Sequence, residues 1–382
     1  MPPSRPFSLL VKPASADCNL RCRYCFYLDH CDFYPDSRHH RMSEETLEQM
    51  VRTYMKTPQP QYSFGWQGGE PTLMGLDFFR KAVEFQQRHG SSGASVGNGL
   101  QTNGTLITDE MARFFAHYHF LAGVSLDGPE DIHDKYRLTI DDRGSHADVL
   151  RGLERLRTHG VEFNILTLVS ESNVKQARRV YEYLCDRDFL FHQYIPCVEP
   201  APEGGVLPFS ISGEQWGEFM CTIFDLWYDG DTRRVSVRLF DSILALLLDG
   251  IRNVCHFGAN CCQYFVVEHN GDIYPCDFFV ETPLYLGNIH QTSWADLQRS
   301  PAYRQFGALK RKWHPDCAEC EFGWICRGDC LKNRLWTSGA DPRGMSHLCQ
   351  GWKMFFAHTL SRFKQLAKEV MDERRRGDAA AS

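Results

Sequence analysis

No long uninterrupted apolar run occurs in this chain. The most apolar window, residues 235–251, carries Arg238, Asp241 and Asp249, too many charges for a membrane-spanning helix of roughly 20 apolar residues. It reads instead as a buried or docking helix, and no membrane partner is expected. Residues 1–15 have no apolar core of the kind a secretory signal needs. An excess of basic charge is missing too, with 42 Lys and Arg against 48 Asp and Glu for a formal net charge of −6. Nucleic-acid binding depends on Lys and Arg neutralising phosphates, so a protein or small-molecule partner fits better. Nothing in the 43% hydrophobic and 24% charged composition departs from a globular protein, and 382 residues suffice for two domains or a barrel with an appendage.

Cysteine is what the chain has in excess, 16 in all. Without export, a cysteine-rich chain points to metal or redox chemistry in a reducing, cytoplasmic setting rather than to disulfides. Three cysteines stand in the run Asp17-Cys18-Asn19-Leu20-Arg21-Cys22-Arg23-Tyr24-Cys25. A C-x3-C-x2-C loop supplies thiolates to three irons of a [4Fe–4S] cube and leaves the fourth iron open. A site one ligand short is built to bind and transform something. A zinc knuckle would need a fourth ligand, for which His30 or Cys31 could formally serve, but structural zinc favours paired C-x2-C spacings.

A short apolar run over 7–12 leads into this loop and reads as a first strand. Ser43 with Glu44 and Glu45 marks a helix start, followed by apolar Leu47, Met50, Val51 and Tyr54 at helical spacing. Further strands are expected at 62–66, 95–102, 121–126, 163–169 and 190–195. They alternate with helical stretches such as the one carrying Val174, Ala177, Tyr181 and Leu184. Alternation of this kind implies parallel pairing with right-handed crossovers. Six such units make a partial (β/α)6 TIM-like barrel, an α/β fold in which chemistry sits in the loops after the strands. Gly68-Gly69-Glu70-Pro71, Gln101-Thr102-Asn103-Gly104 and Ser125-Leu126-Asp127-Gly128 fall in those loops. Glycines at 68 and 69 let backbone approach a ligand closely, and Glu70 either binds a ligand cation or orients the loop. The Pro- and Gly-rich stretch 200–208 leaves the barrel, and residues 209–228 read as a helix.

Together these landmarks resemble the radical S-adenosylmethionine (SAM) enzymes. The resemblance implies that the open iron chelates SAM and that an electron from the cluster yields a 5′-deoxyadenosyl radical. It further implies that Gly69 and Ser125 contact SAM, that Arg137 in His133-Asp134-Lys135-Tyr136-Arg137 binds its carboxylate, and that Tyr24 and Val198 line the adenine pocket. Arginine suits a carboxylate because its fork can make two bonds to it.

Eight more cysteines follow, Cys255, Cys261, Cys276, Cys317, Cys320, Cys326, Cys330 and Cys349. Their order resembles the SPASM extension, with Gly271 five residues before Cys276. By that resemblance Cys255, Cys261, Cys276 and Cys330 hold one auxiliary [4Fe–4S] cluster, and Cys317, Cys320, Cys326 and Cys349 hold the other, three clusters in all. Spacing alone leaves Cys261 and Cys262 interchangeable, and it leaves rubredoxin-like iron or zinc open for this region. Cys31, Cys185, Cys197, Cys221 and Cys262 read as small buried hydrophobes. The expected domains are a radical SAM partial barrel with a following helical connection over 1–234, a SPASM domain over 235–371, and a basic, Ala-rich tail over 372–382.

The stretch from Gln263 to Val280, with Gln193-Tyr194-Ile195-Pro196-Cys197 and Gly328-Asp329-Cys330-Leu331-Lys332-Asn333-Arg334, is similar to the anaerobic sulfatase-maturating enzymes; Leu331 departs from a proline expected there. This resemblance implies oxidation of an active-site Cys or Ser of an unfolded sulfatase to Cα-formylglycine, with an electron donor such as flavodoxin or ferredoxin. The chemistry needs a base, and Asp277 is the candidate: next to Cys276 in an extended segment it points to the other side, and burial beside an anionic cluster favours proton uptake. Tyr27 and Gln67 are candidates for holding the substrate side chain. A peptide maturase forming thioether or carbon–carbon crosslinks is the rival enzyme, although the cluster loop begins at residue 18 and leaves no room for the peptide-recognition domain such maturases often carry ahead of the barrel. A non-catalytic zinc-binding interaction protein is the rival of another class. Anaerobic purification separates the classes: the expected outcome is brown protein with about twelve irons, and colourless protein with stoichiometric zinc excludes the enzyme.

Overall fold

The computed structural model describes residues 5–35 and 39–381 and, of residues 29, 31, 32 and 377–381, the backbone alone. Cys31 as a buried side chain and the end of the tail thus lie outside the described residues. In chain order the first elements are β1 (Ser8–Lys12), α1 (Glu44–Tyr54), β2 (Gln61–Trp66), α2 (Gly75–His89), β3 (Ser95–Thr102), α3 (Asp109–His117), β4 (Leu121–Ser125), α4 (Glu130–His133), α5 (His146–Thr158), β5 (Phe163–Val169), α6 (Ala177–Asp186) and β6 (Phe191–Pro196). There follow α7 (Gly213–Gly230), β7 (Ser236–Val237), α8 (Arg238–Asp249), β8 (Tyr264–Glu268), β9 (Asp272–Tyr274), β10 (Gly287–Asn288), α9 (Trp294–Arg299), α10 (Pro301–Leu309), α11 (Pro315–Ala318), α12 (Gly323–Cys326) and α13 (Cys349–Ala381).

The strands at 95–102 and 163–169 fall where the sequence puts them, β1, β2 and β4 differ by one residue at one end, and β6 lies one residue further along the chain. This is the α/β alternation expected of a partial (β/α)6 arrangement. α1 starts as its sequence dictates: the Ser43 side chain accepts the Thr46 amide, Glu44 and Glu45 occupy the first turn, and Leu47, Met50, Val51 and Tyr54 are buried. α7 begins at a capping box in which Ser212 and Gln215 satisfy each other's backbone. α8 ends at Gly250, whose φ of 68° suits a left-handed cap.

By compactness the chain forms two units, the first made of Met1–Leu126, Glu130–Asn164 and Asn260–Leu309, the second of Asp127–Pro129, Ile165–Ala259 and Lys310–Ser382. In the first the strand order is β10-β9-β8-β1-β2-β3-β4. β8 pairs in parallel with β1, so the strand before Cys276 extends the edge of the sheet that the cysteine loop leaves. β9 turns back antiparallel on β8, and β10 on β9. The core of this unit is aromatic, with Trp66, Phe79, Phe115 and Phe120 almost wholly buried. In the second unit β5, β6 and β7 lie side by side in parallel, and Phe224, Phe240, Phe355 and Phe363 form a buried cluster.

α7 and α13 meet within the second unit through glycine. A Cβ on Gly351 would lie 2.0 Å from the Gly213 carbonyl oxygen, and one on Gly217 would lie 2.9 Å from the Gly351 Cα. Backbone cannot move aside as a flexible side chain can. Gly351→Ala is therefore expected to lower stability by about 1–3 kcal/mol, the usual cost of overpacking, read from the denaturation midpoint of the second unit.

Candidate functional site

β1 ends at Lys12, and the chain turns through Ser15, at φ 48°, before reaching Cys18. The Gly-Gly-Glu-Pro loop after β2 clamps this turn by backbone alone. The Gly69 amide donates to the Ser15 carbonyl at 2.7 Å and the Glu70 amide to the Asp17 carbonyl at 2.8 Å. A Cβ on Gly69 would stand 2.1 Å from the Asp17 oxygen. Gly69 is thus glycine because the cysteine loop lies on it, and its amide is spent on that loop rather than offered to a ligand.

Glu70 resolves in favour of loop orientation. Fully buried, it accepts from the Thr72 amide at 2.9 Å, the Thr72 hydroxyl at 2.5 Å, the Thr102 hydroxyl at 2.8 Å and the Asn103 amide at 2.7 Å. One carboxylate thereby ties the loop after β2 to the loop after β3. Burial pushes its pKa up, against the opposing effect of those hydrogen bonds. Asn103 in turn reaches Cys18 Sγ at 3.7 Å and Asn19 Oδ1 at 2.9 Å. Asp17 is held by the His40 amide at 2.9 Å, the His40 ring at 2.8 Å and Arg41 at 2.5 Å. Burial would raise Asp17, but these bonds outweigh it and keep its carboxyl below the usual range.

The cysteine loop also pairs with the run after α4. The Arg21 amide donates to the Leu138 carbonyl at 2.7 Å and the Arg23 amide to that of Tyr136 at 3.0 Å. Tyr24 is buried, packs edge-on against Tyr136 with centroids 5.7 Å apart, and has the Arg137 guanidinium 5.4 Å from its ring centre. Tyr24, Arg137 and the three cysteines therefore gather in one place, with Ser125 closing β4 in the same unit. Val198, the other residue expected at the adenine pocket, follows β6 in the second unit and is fully buried.

The donor chemistry here suits an iron–sulfur cluster. The Cys18 thiol is pushed up to about 12 by burial and by Glu70, with Cys22 and Cys25 adding to the effect. Thiols that oppose one another's ionisation become thiolates once a cationic centre binds them. The described cysteines are all free of disulfides, and among the described residues no three His, Cys, Asp or Glu side chains converge as they would on a single metal ion.

Asp277, Gln67 and Tyr27 lie together, and the residue joining them is Lys12. Cys276 is extended at φ −157° and ψ 148°, but Asp277 opens a 3-10 turn, Asp277–Phe279, instead of continuing a strand. Its Oδ2 accepts from Gln67 Nε2 at 2.8 Å, and its Oδ1 forms an ion pair with Lys12 Nζ. The expected setting for Asp277 was an anionic cluster alone; an ammonium now shares it. Lys12 is 1% exposed, and its Nζ also sits 3.7 Å from the centre of the Tyr27 ring. The Tyr27 hydroxyl donates to Glu268, itself wholly buried, and so is already committed. Burial first, then Glu268 and Asp277, hold that phenol well above its ordinary pKa. Lys12 and Glu268 are direct partners in the β1–β8 ladder. Sequence reading missed both, although a signal existed: two apolar runs, Leu9-Leu10-Val11 and Phe265-Val266-Val267, each end in one charge of opposite sign. Buried charges of that kind need partners.

The remaining cysteines sort by their electrostatic neighbours. In the first unit, burial raises the Tyr303 phenol, and the charges of Cys262, Cys261 and Cys276 add to it. Cys262 is engaged elsewhere, its Sγ donating to the Tyr303 carbonyl at 3.2 Å, which leaves Cys261 as the candidate ligand. In the second unit the Cys255 thiol is pushed up to about 11 by burial and then by Cys330. Cys349 is raised by burial, with Cys317 and Cys320 contributing. Cys326, pushed up to about 12 by burial and Asp329, is influenced by Cys349. Cys255 thus has Cys330 among its neighbours, and Cys326 has Cys349. Of the cysteines outside the ligand set, Cys197 is buried as expected, whereas Cys185, Cys221 and Cys262 are only half-buried.

Comparison with known proteins adds the following. A family model described as the radical SAM superfamily matches residues 13–184, and one described as an iron–sulfur cluster-binding domain, SPASM, matches 255–321. The chain is 36% identical to the serine-type anaerobic sulfatase-maturating enzyme of Bacteroides thetaiotaomicron, across 97% of this chain and 94% of the relative. It is 37% identical to the cysteine-type enzyme of Clostridium perfringens, across 96% and 99% respectively. The structure of native anSMEcpe with bound AdoMet and Cp18Cys peptide is similar at a TM-score of 0.90 and 36% identity, covering 96% of this chain and 100% of that one. Streptococcus suis SuiB bound to precursor peptide SuiA shares the fold, at a TM-score of 0.65 and 16% identity over 91% of this chain and 76% of that one. The backbone clamp on the cysteine loop makes a local prediction: Gly69→Ala should displace Ser15–Asp17 and lose about four of about twelve irons, with the auxiliary iron retained by chemical assay and electron paramagnetic resonance (EPR).

Proposed function

Since the chain belongs to the anaerobic sulfatase-maturating enzymes, radical SAM oxidoreductases that use SAM and three [4Fe–4S] clusters, we propose that it converts an active-site Cys or Ser of an unfolded sulfatase polypeptide to Cα-formylglycine with Asp277 as the base. The observation that carries this reading is the convergence of Asp277 with Gln67 and Lys12, one residue after Cys276. When bound, SAM and the cluster on Cys18, Cys22 and Cys25 supply the 5′-deoxyadenosyl radical that removes the substrate Cβ hydrogen, and the auxiliary clusters supply an outlet for the remaining electron.

The residues of this chain do the rest. Asp277 takes the proton from the substrate thiol or hydroxyl. Gln67 bonds one carboxylate oxygen of Asp277 and the Lys12 ammonium faces the other, leaving the carboxylate's further lone pairs for a substrate. We retain Gln67 as a contact for the substrate side chain, and Tyr27 as the wall of that site through its ring, since its hydroxyl is bonded to Glu268. Arg137 binds the SAM carboxylate, Gly69 and Ser125 contact SAM, and Tyr24 and Val198 line the adenine. For Gly69 the contact would run through its carbonyl or Cα, the amide being bonded to Ser15.

Cys255, Cys261, Cys276 and Cys330 are the ligands of one auxiliary cluster, and Cys317, Cys320, Cys326 and Cys349 those of the other. The neighbour relations Cys255 with Cys330 and Cys326 with Cys349 support this division. As chemical modules the chain divides into a SAM-cleaving part over 1–234, an auxiliary-cluster part over 235–371 and a tail over 372–382. The electron donor is a protein such as flavodoxin or ferredoxin, and the setting is the reducing cytoplasm, in keeping with the free thiols of the described cysteines. No helix among the described residues is long and apolar enough to cross a membrane.

The test is anaerobic turnover of paired Cys- and Ser-containing sulfatase peptides with SAM and a reductant, read by mass spectrometry. Formylglycine with 5′-deoxyadenosine is expected, and a crosslinked peptide overturns the reading. Asp277→Asn should keep about twelve irons and SAM cleavage while peptide oxidation falls by about 10²–10⁴-fold, the usual worth of a general base. Unchanged oxidation removes Asp277 from the mechanism. Lys12→Met is expected to lower peptide oxidation in the wild-type background and to cost nothing further alongside Asp277→Asn, the non-additivity of two groups acting as one.

A further inference from the structure

The second unit buries another lysine that neither the motifs nor the proposed chemistry absorbs. Lys310, just after α10, is 1% exposed. Its Nζ donates to the carbonyls of His256 at 2.9 Å, Arg327 at 3.3 Å and Asp329. Each of those carbonyls belongs to a residue adjacent in sequence to a candidate cluster ligand: His256 follows Cys255, Arg327 follows Cys326, and Asp329 precedes Cys330. One ammonium therefore fastens the backbone beside two ligands of one auxiliary site and one ligand of the other.

Three carbonyls could be satisfied by neutral donors, as the nearby Asp329 carboxylate is by Trp352 and Asn333. Burying an ammonium costs more than burying an amide, so the charge calls for a counterpart. The candidate ligands supply one: Cys255, Cys326 and Cys330 each adjoin in sequence a residue whose carbonyl Lys310 bonds. A four-thiolate cube is anionic and gains a further negative charge on reduction, and cluster potentials respond to net charge and hydrogen bonding around the sulfurs.

We propose that Lys310 is a positioning residue shared by the two auxiliary clusters, its buried ammonium fastening their ligand loops together and stabilising the reduced state of both. A cation so placed raises both potentials and eases electron transfer from the oxidised substrate. The inference rests on the division of cysteines proposed above.

The test is a redox titration of the reconstituted, full-length holoenzyme followed by EPR, for wild type, Lys310→Met, Lys310→Gln and Lys310→Arg. In the wild type two auxiliary signals are expected beside the SAM-cluster signal, and their absence overturns the cysteine division itself. With both present, the two neutral variants should show both auxiliary midpoints moved to more negative potential, the SAM-cluster midpoint unmoved, and Lys310→Arg close to wild type. Neutral variants that fail to load auxiliary iron while Lys310→Arg loads fully also support the shared cationic tie. Fully loaded neutral variants with either auxiliary midpoint unmoved overturn it, as does loss of iron in all three variants.

Discussion

The whole of the first unit's chemistry hangs on backbone lying against backbone. Gly69 and Glu70 donate their amides to Ser15 and Asp17, and no side chain fits between the two loops. This contact fixes where Cys18 starts, and Glu70 then carries the same constraint to Thr102 and Asn103, which touches the Cys18 sulfur. A loop that must present three mutually repelling thiols cannot rely on those thiols for its shape. Its geometry comes from hydrogen bonds made by backbone and by the Glu70 carboxylate rather than by the sulfurs, which is a form of preorganisation.

A second constraint is the treatment of buried charge. Lys12, Asp277 and Glu268 are brought together by the pairing of β1 with β8 and by the turn after Cys276. Ions taken out of water in a folded protein are tolerated when each has a partner, and here the partners are also the groups whose chemistry is wanted. In the second unit Arg334 follows the same rule with carbonyls in place of carboxylates, donating to Gly328 at 2.7 Å, Lys312 at 3.0 Å and Pro342 at 3.1 Å. Both arrangements give a buried cation polar partners.

Much of this was legible in the sequence, for reasons that differ by element. Strands β1, β2, β4 and β5 were readable as short runs rich in apolar residues, β3 from the Asn-Gly motif that closes it, and α1 because Ser43 and its two glutamates are a local signal. The first cysteine loop was readable because ligand spacing is a chemical constraint, independent of fold, whereas the division of the later cysteines came from resemblance and not from spacing. Lys12 and Glu268 were not, since a pair formed between residues 256 positions apart leaves no local trace beyond a charge ending an apolar run. The membership of Asn260–Leu309 in the first compact unit was hidden for the same reason: β8 joins the edge of β1, and an added edge strand looks no different in sequence from one that starts a new sheet. Asp277 was singled out by its place after Cys276, but its ammonium neighbour had to come from the fold.

The β8–β9 turn carries an implication of another kind. Lys12 sits on β1 opposite Glu268, while Asp277 comes back to the same ammonium only after the chain has passed through Asn270, Gly271 and β9. Glu268, opposite Lys12 in the ladder, and Asp277, paired with its ammonium, thus stand nine positions apart, a distance set by hairpin register. A single-residue insertion or deletion there would leave every cysteine present and countable while turning the acid away from its counter-ion. Among natural variants of this chain, length polymorphism in that hairpin should be rarer than in surface loops of equal exposure, even where the ligand spacing is untouched.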